Sequence, residues 1–224
     1  MRSLCAVLSV LFALIFAETV AAQTELKTDE QKTLYALGLV LAQNLATFAL
    51  SPADLEVVKA GLTDGLTNKE KKVDLQTYGP KIQELQKTRV AAAAGTERKA
   101  GQAFVDKAAA EKGAVKTQSG AIVTTVKPGT GAQPTANDKV KVHYHGTLTD
   151  GTVFDSSVQR GEPVTFPLNG VIKCWSEGVQ QIKVGGKSRL VCPADTAYGD
   201  RGAPPVIKPG ATLVFDVELL EIVK

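Results

Sequence analysis

Histidine and cysteine are scarce in this chain of 224 residues, which contains two of the first and three of the second. The histidines are His143 and His145, and no further histidine or nearby cysteine completes a set of metal ligands. We therefore expect no metal site and two solvated imidazoles. A nucleophile with an adjacent base is missing as well, and no cysteines are spaced as Cys-x-x-Cys. Covalent catalysis is not expected.

A strong charge of one sign is also missing, because 26 lysines and arginines stand against 23 acidic residues. The net charge of +3 is too small and too evenly spread to predict a nucleic-acid partner. Gly186-Lys187-Ser188 looks like the end of a phosphate-binding loop, but Gln181 stands where that motif needs a glycine. Neither a nucleotide nor any other cofactor is expected.

The first 22 residues have the pattern of a secretory signal peptide. Arg2 precedes an apolar run broken only by Ser9, and small residues come just before Gln23. The run is too short to cross a bilayer comfortably, which disfavours a stable membrane anchor. We expect export, with cleavage after Ala22.

Residues 23–112 are predicted to be helical. Residues 28–31 can act as a capping box for a first helix, Ser51 and Pro52 can start a second, and a third is expected from about residue 80 to 112. Apolar side chains recur at helical spacing on the first two helices: Leu34, Leu37, Leu41, Leu45, Phe48, Leu55, Val58, Leu62 and Leu66. These stripes make little self-contained core. They either pack on a second domain or interlock in a homodimer through residues 24–112, and we expect the dimer.

The later half of the chain has the alternating pattern of half-buried strands. Apolar and polar residues alternate over residues 140–145, a tight turn follows at 150–151, and Asp155 stands directly beside Phe154. A second alternating strand closes the chain over residues 212–220. The chain is therefore predicted to be α+β, with residues 113–224 forming a second domain.

Four motifs in this half resemble those of the FKBP-type peptidyl-prolyl cis-trans isomerases. They read VHYHGTLTDGTVFDSS, GVIKCWSEGVQ, AYGDRGAPP and ATLVFDVELLEI, in the order of that family. The resemblance implies an antiparallel half-barrel wrapped around one short helix, at residues 175–182. The layout of the helical part is similar to that of the macrophage-infectivity-potentiator-like isomerases of bacterial envelopes. It implies a dimerising arm on a long connecting helix and a periplasmic location, with the cell surface as the alternative.

The resemblance also implies a set of pocket residues. Trp175 would be the floor beneath the substrate's proline ring, and Asp155 would face the rotating amide. Tyr144 and Arg160 would orient that acid. The Tyr198 hydroxyl and the backbone N–H of Ile172 would each bind a substrate carbonyl. The apolar walls would be Tyr144, Phe154, Val171, Ile172 and Phe215, together with Val164 at the rim.

Three departures from the family concern this rim. Val164 replaces a phenylalanine, residues 168–171 are about two residues shorter and lack an acid, and Ala203 replaces a histidine on the flap, residues 200–209. They leave the central pocket intact. They bear on peptide preference and on affinity for the macrolides tacrolimus and rapamycin, which the resemblance implies as ligands.

The implied activity is the isomerisation of prolyl bonds in unfolded or exported proteins. Its barrier of about 18–20 kcal/mol is the loss of amide resonance, and a dry apolar pocket with one positioned donor can lower it. One alternative is a holdase chaperone whose helical cleft holds unfolded chains. Another is a domain that binds prolyl peptides without turning them over.

Cys174 and Cys192 are the cysteines that would remain after export. An oxidising compartment favours pairing, and the strand at residues 188–191 should run beneath the pocket helix. We expect a disulfide between them, with two separate thiols as the alternative.

Overall fold

The computed structural model describes residues 25–223, and the chain divides into two compact units, one ending at Leu39 and the other beginning at Val40. Its long helices are α1 (Asp29–Leu45), α2 (Pro52–Leu66) and α3 (Leu75–Ala109), with a 3₁₀ turn over Ala46–Phe48. Within residues 25–223, none of the helices is both long and apolar enough to cross a bilayer. The predicted signal peptide lies outside the described residues.

Both predicted helix starts are capped as expected. The Thr28 hydroxyl accepts from the N–H of Gln31 at 3.1 Å, and the Gln31 side chain accepts from the N–H of Thr28 at 3.2 Å. Ser51 and Asp54 exchange the equivalent bonds at 3.2 and 3.0 Å, and Pro52 is the first helical residue. Local sequence therefore determines where α1 and α2 begin.

Helix α3 begins at Leu75 rather than near residue 80, and it ends at Ala109 rather than 112. The Asp74 carboxylate accepts from the N–H groups of Gln76 and Thr77 at 3.1 and 3.0 Å, which caps the helix at this earlier point. Pro80 lies inside the helix and is not its start. It removes one backbone hydrogen bond, and the cap before it and the long helix after it offset that loss.

Within the described part of the chain, seven strands form one antiparallel sheet. They are β1 (Ala114–Lys116), β2 (Ile122–Lys127), β3 (Lys139–Leu148), β4 (Val153–Ser156), β5 (Val164–Pro167), β6 (Lys187–Cys192) and β7 (Leu213–Val223). Their order is β1-β2-β6-β7-β3-β4, and β5 pairs with the first half of β3 while β4 pairs with its second half. Because β3 changes partner along its length, the sheet curls, as expected of a half-barrel.

The sheet curls around helix α5 (Lys173–Gly178), which continues as a 3₁₀ turn over Val179–Gln181. The helix thus starts two residues before its predicted position and ends in a 3₁₀ turn. A four-residue helix, α4 (Ser157–Arg160), follows β4. The completely buried core side chains include Val140, Val142, Leu168, Val179, Leu190, Leu213, Val217 and Leu219. The predicted α+β architecture, a half-barrel around a short helix preceded by a helical region, is confirmed.

The C-terminal end of α3 packs on a second buried cluster of the sheet. Val105 and Ala108 of α3 share this cluster with Ile122 of β2, Val191 of β6 and Val214 of β7. The domain boundary at residues 112 and 113 stays a prediction. A truncation that removed all of α3 would uncover this cluster.

Candidate active site

Strands β3 and β4 bring an acid, a phenol and a guanidinium together. The Tyr144 hydroxyl donates to one carboxylate oxygen of Asp155, and Nη1 of Arg160 donates to the other. Nη2 of Arg160 donates to the Tyr144 hydroxyl oxygen at 3.1 Å, which closes the network. The three polar residues assigned to the amide end of the pocket are therefore in mutual contact.

This network determines the charge of each member. Burial on its own would raise the pKa of Asp155, but the hydrogen bonds from Tyr144 and Arg160 outweigh burial and hold that pKa below its ordinary value. Burial and the bond to Asp155 raise the pKa of Tyr144. The hydrogen bonds to Tyr144 and Asp155 raise the pKa of Arg160. At neutral pH the site holds a carboxylate, a neutral phenol and a guanidinium.

Trp175, near the start of α5, stands edge-to-face with three other rings. Its ring centroid lies 5.2 Å from that of Tyr144, 5.4 Å from that of Phe215 and 5.6 Å from that of Phe166. Phe154 continues the arrangement with a centroid 5.4 Å from that of Phe215. Each such pair contributes about 0.5–1.5 kcal/mol beyond its burial. The aromatic floor is therefore held in one geometry.

Two further residues that shape this aromatic group were not predicted from the sequence. Phe166 contacts both Trp175 and Tyr144, and it shares a face of β5 with Val164, two residues earlier, so strand alternation could have identified it. Gly146 lies under two rings, and a Cβ there would stand 2.7 Å from Phe154 Cζ. Only glycine lets Phe154 lie across β3.

The remaining predicted wall residues line the same core. Val164, Val171, Ile172 and Phe154 are half-buried and pack against the buried cluster that contains Trp175. The carbonyl of Ile172 accepts from the N–H groups of the first turn of α5, whereas its own N–H forms no hydrogen bond within residues 25–223. This N–H is therefore available to a ligand.

Among the aromatic residues that were predicted to form the site, Tyr198 is the most exposed. Its side chain is 41% accessible and stands outside the buried cluster, against which its neighbour Ala197 packs. It follows the 3₁₀ turn Ala194–Thr196 and precedes the flap. The position of its ring therefore depends on the loop that carries it, and the ring makes no contact of its own with the buried cluster.

The two histidines are less exposed than the sequence predicts, and each lies within hydrogen-bond distance of a serine hydroxyl. Nδ1 of His143 lies 3.1 Å from Ser157 Oγ, and Nδ1 of His145 lies 3.0 Å from Ser156 Oγ. Both rings are half-buried, because the chain that leaves β4 covers this face of β3.

Cys174 and Cys192 are joined as a disulfide in the structure. Their Cα atoms are 5.6 Å apart, and both side chains are completely buried. The bond ties α5, next to Trp175, to the end of β6.

Two family models match the chain. Residues 130–220 match the FKBP-type peptidyl-prolyl cis-trans isomerase, and residues 30–122 match the domain amino terminal to FKBP-type peptidyl-prolyl isomerase. Over 216 residues the chain is 44% identical to the FKBP-type peptidyl-prolyl cis-trans isomerase FkpA of Aeromonas hydrophila, covering 91% of this chain and 80% of that protein. Over 218 residues it is 34% identical to the peptidyl-prolyl cis-trans isomerase Mip of Coxiella burnetii, covering 94% of each.

A solved structure is similar over most of the chain. The crystal structure of FkpA from Escherichia coli matches with a TM-score of 0.66 and 37% identity, covering 88% of this chain and 98% of that one.

Proposed function

The chain belongs to the FKBP-type peptidyl-prolyl cis-trans isomerases, and we propose that Tyr144, Asp155 and Trp175 carry its catalysis. It is an isomerase that binds proline-containing peptides, so the alternative of a domain without turnover is set aside. One observation carries the residue assignment. The closed network of Tyr144, Asp155 and Arg160 stands directly against the aromatic floor, because Tyr144 belongs to both.

The floor acts on the barrier by excluding water. The planar amide has more charge separation than the twisted one, so water stabilises the planar ground state. A proline ring seated on Trp175, between the walls Phe154 and Phe215, leaves water behind, and the preference for the planar form falls. No bond is broken, which is why the pocket needs no nucleophile.

The polar groups hold the peptide while one bond rotates. Asp155 remains a carboxylate, and Tyr144 and Arg160 fix its direction, so it presents a preorganised charge to the twisting amide. The N–H of Ile172 and the hydroxyl of Tyr198 bind the carbonyls that flank the proline. This fixes the two ends of the rotating segment.

The assignment is tested with Asp155→Ala in the full chain. We expect kcat/KM on an Ala-Leu-Pro-Phe type peptide to fall by about tenfold or more, with the roughly 10²–10³ loss seen when one preorganised oxyanion donor is removed as the upper limit. Asp150→Ala is the matched control, because Asp150 is an exposed acid in the preceding turn. A folded Asp155→Ala variant with full kcat/KM would refute the role of Asp155.

The helical residues 24–112 form a homodimer in this proposal. The support is their exposed apolar surface, which includes Leu34 at 60%, Leu37 at 55% and Leu66 at 83% accessibility. A groove of about 570 Å³ lies between α2 and the start of α3, and its lining includes Val57, Ala60, Gly61, Gly65, Val73 and Leu75. The apolar stripe of a second copy is the occupant we assign to this surface.

The place of action in this proposal is the periplasm, and the clients are unfolded exported proteins. The signal-peptide pattern of residues 1–22 and a buried disulfide both support an oxidising, extracytoplasmic location. In this proposal tacrolimus and rapamycin bind on the aromatic floor, and the rim that they would contact is altered at Val164 and Ala203.

A holdase activity is the second candidate function, supported by the same exposed helical surface. Full-length Asp155→Ala separates the two activities. It should still suppress aggregation of a client without prolines that limit its folding, while failing to accelerate a proline-limited one. Loss of both effects together would remove the holdase from the proposal.

A further inference from the structure

Helix α3 contacts the loop that carries Tyr198 and the flap, residues 194–212. Nη2 of Arg98 donates to Asp195 Oδ1 at 2.7 Å and to Asp200 Oδ1 at 2.9 Å, and Nε donates to the same Asp200 oxygen at 3.1 Å. The two acids stand on either side of Tyr198 in the chain. One guanidinium therefore joins both flanks of this residue, and we call these three side chains the Arg98 network.

The same helix touches the far end of the loop through its backbone. A Cβ on Gly210 would lie 2.3 Å from the carbonyl oxygen of Ala94, and a Cβ on Gly101 would lie 2.2 Å from Thr212 Oγ1. No larger residue fits at either contact without movement of the helix or the loop. Two turns of α3 are thus seated directly on the loop.

Hydrogen bonds inside the loop connect these contacts to Tyr198. The N–H of Gly210 donates to the carbonyl of Gly199 at 2.9 Å, and the N–H of Gly199 donates to the carbonyl of Ala194 at 2.8 Å. The N–H of Gly202 donates to the carbonyl of Tyr198 at 3.1 Å. A shift of α3 relative to the loop would therefore be passed to the backbone on both sides of Tyr198.

We infer that Arg98 is a positioning residue for the isomerase site. Through Asp195 and Asp200 it sets where Tyr198 and the flap stand, so a helix from the N-terminal half of the chain completes the site of the C-terminal half. This inference rests on the proposed role of Tyr198 as a donor to a substrate carbonyl.

Fold stability alone does not account for the arrangement. The Arg98 side chain is 34% accessible, and ion pairs at such partly exposed positions add little to the free energy of unfolding. Core packing holds Ala197 and Ala203 of the loop, but the Tyr198 side chain itself stands outside the buried cluster. The Arg98 network joins the acids on both sides of this residue, so its effect should appear in substrate binding.

The experiment compares two charge-removing variants of the full chain, Arg98→Gln and Lys99→Gln. Lys99 is the next residue of α3, is exposed and forms no ion pair within residues 25–223. We expect Arg98→Gln to raise KM for an Ala-Leu-Pro-Phe type peptide by about fivefold, with kcat unchanged within about twofold, since the donor serves ground and transition states alike. Lys99→Gln should match the wild type, and Arg98→Lys should recover part of the loss.

Salt and coupling distinguish positioning from a general loss of stability. Raising the salt concentration should increase the wild-type KM toward that of Arg98→Gln and change the KM of the variant less, because screening weakens the Arg98 network in the wild type. The variant keeps the Lys208–Glu97 ion pair between α3 and the flap, which accounts for its smaller response. Asp200→Asn removes the charge of the acid that accepts two of the three bonds and should raise KM similarly. The double variant Arg98→Gln/Asp200→Asn should be no worse than either single one. Fully additive effects would overturn the inference.

A fluorine label at residue 198 reports on the loop directly. With 3-fluorotyrosine at this position, the resonance should shift or broaden in Arg98→Gln and stay unchanged in Lys99→Gln. An unchanged KM together with an unchanged resonance would overturn the inference. If Tyr198→Phe behaves like the wild type while Arg98→Gln still raises KM, the proposed role of Tyr198 fails and positioning of the flap by Arg98 is supported.

Discussion

The two halves of the chain treat their large apolar side chains in opposite ways. In the C-terminal half Val140, Val142 and Leu219 are completely buried, whereas in the helices Val57 and Leu66 are 74% and 83% accessible. Strands of period two that curl around a short helix enclose a core within one chain. Two leucine-striped helices cannot do so, and this difference is why we assign their exposed surface to a second copy.

The largest expected effect is on the oligomeric state, when exposed leucines of the helical half are replaced by charged residues. Leu34→Glu combined with Leu41→Glu should convert the proposed dimer to a monomer. Four leucines per dimer would lose burial of about 1.5–3 kcal/mol each, which raises the dissociation constant by about ten-thousandfold or more. Sedimentation velocity at micromolar concentration measures the change.

Val126→Glu is the control for this double variant. Val126 is 57% accessible, like the two leucines, but it lies on β2 in the other half. It should leave the oligomeric state unchanged, and turnover of short peptides should survive both changes. A wild-type protein that sediments as a monomer would contradict the dimer outright.

The next effect is on the free energy of unfolding, to which the disulfide of the C-terminal half contributes. Replacing Cys174 and Cys192 by alanine should lower the free energy of unfolding by about 3 kcal/mol on the chain-entropy model, for a bond that links residues 18 apart. The oligomeric state should not change, because the disulfide lies in the half that is already complete. Denaturant titration under non-reducing conditions measures this change in the free energy of unfolding. Two reactive thiols in the denatured, non-reduced wild type would show that the bond does not form.

The sequence allowed much of this contrast to be predicted, because periodicity and capping are local. Alternation over residues 140–145 predicted β3, and Ser51 predicted the start of α2. The start of α3 was missed because Pro80 resembles a start signal, while Asp74 gives the actual cap. The Arg98 network joins residues about one hundred positions apart, and no local pattern encodes such a contact.

The smallest expected effect is on pH dependence, and it tests whether both halves use carboxylates in the same way. Hydrogen bonds lower the pKa of Asp155 in the site, and a hydrogen bond from Arg89 lowers that of Asp54 at the start of α2. A depressed pKa contributes stability that is present above the unfolded value and is lost as pH falls through the folded one.

We therefore expect kcat/KM and the dimer to be insensitive to pH through the neutral range. Both should weaken only below the ordinary carboxyl pKa of about 3.9. Stopped-flow isomerisation and light scattering across pH 3 to 8 give the two profiles. An activity loss centred near pH 6 would point away from Asp155 as the ionising group.

The fluorescence of Trp175 can also report directly on ligand binding in the pocket. The chain contains one tryptophan, and that residue is 4% accessible, with an indole Nε1–H that donates to no atom within residues 25–223. Its emission should be blue-shifted in the free protein, and a carbonyl or ring arriving on the floor should change its intensity. Since no other indole contributes background, affinities for prolyl peptides and macrolides can be read from unlabelled protein, before any turnover assay is run.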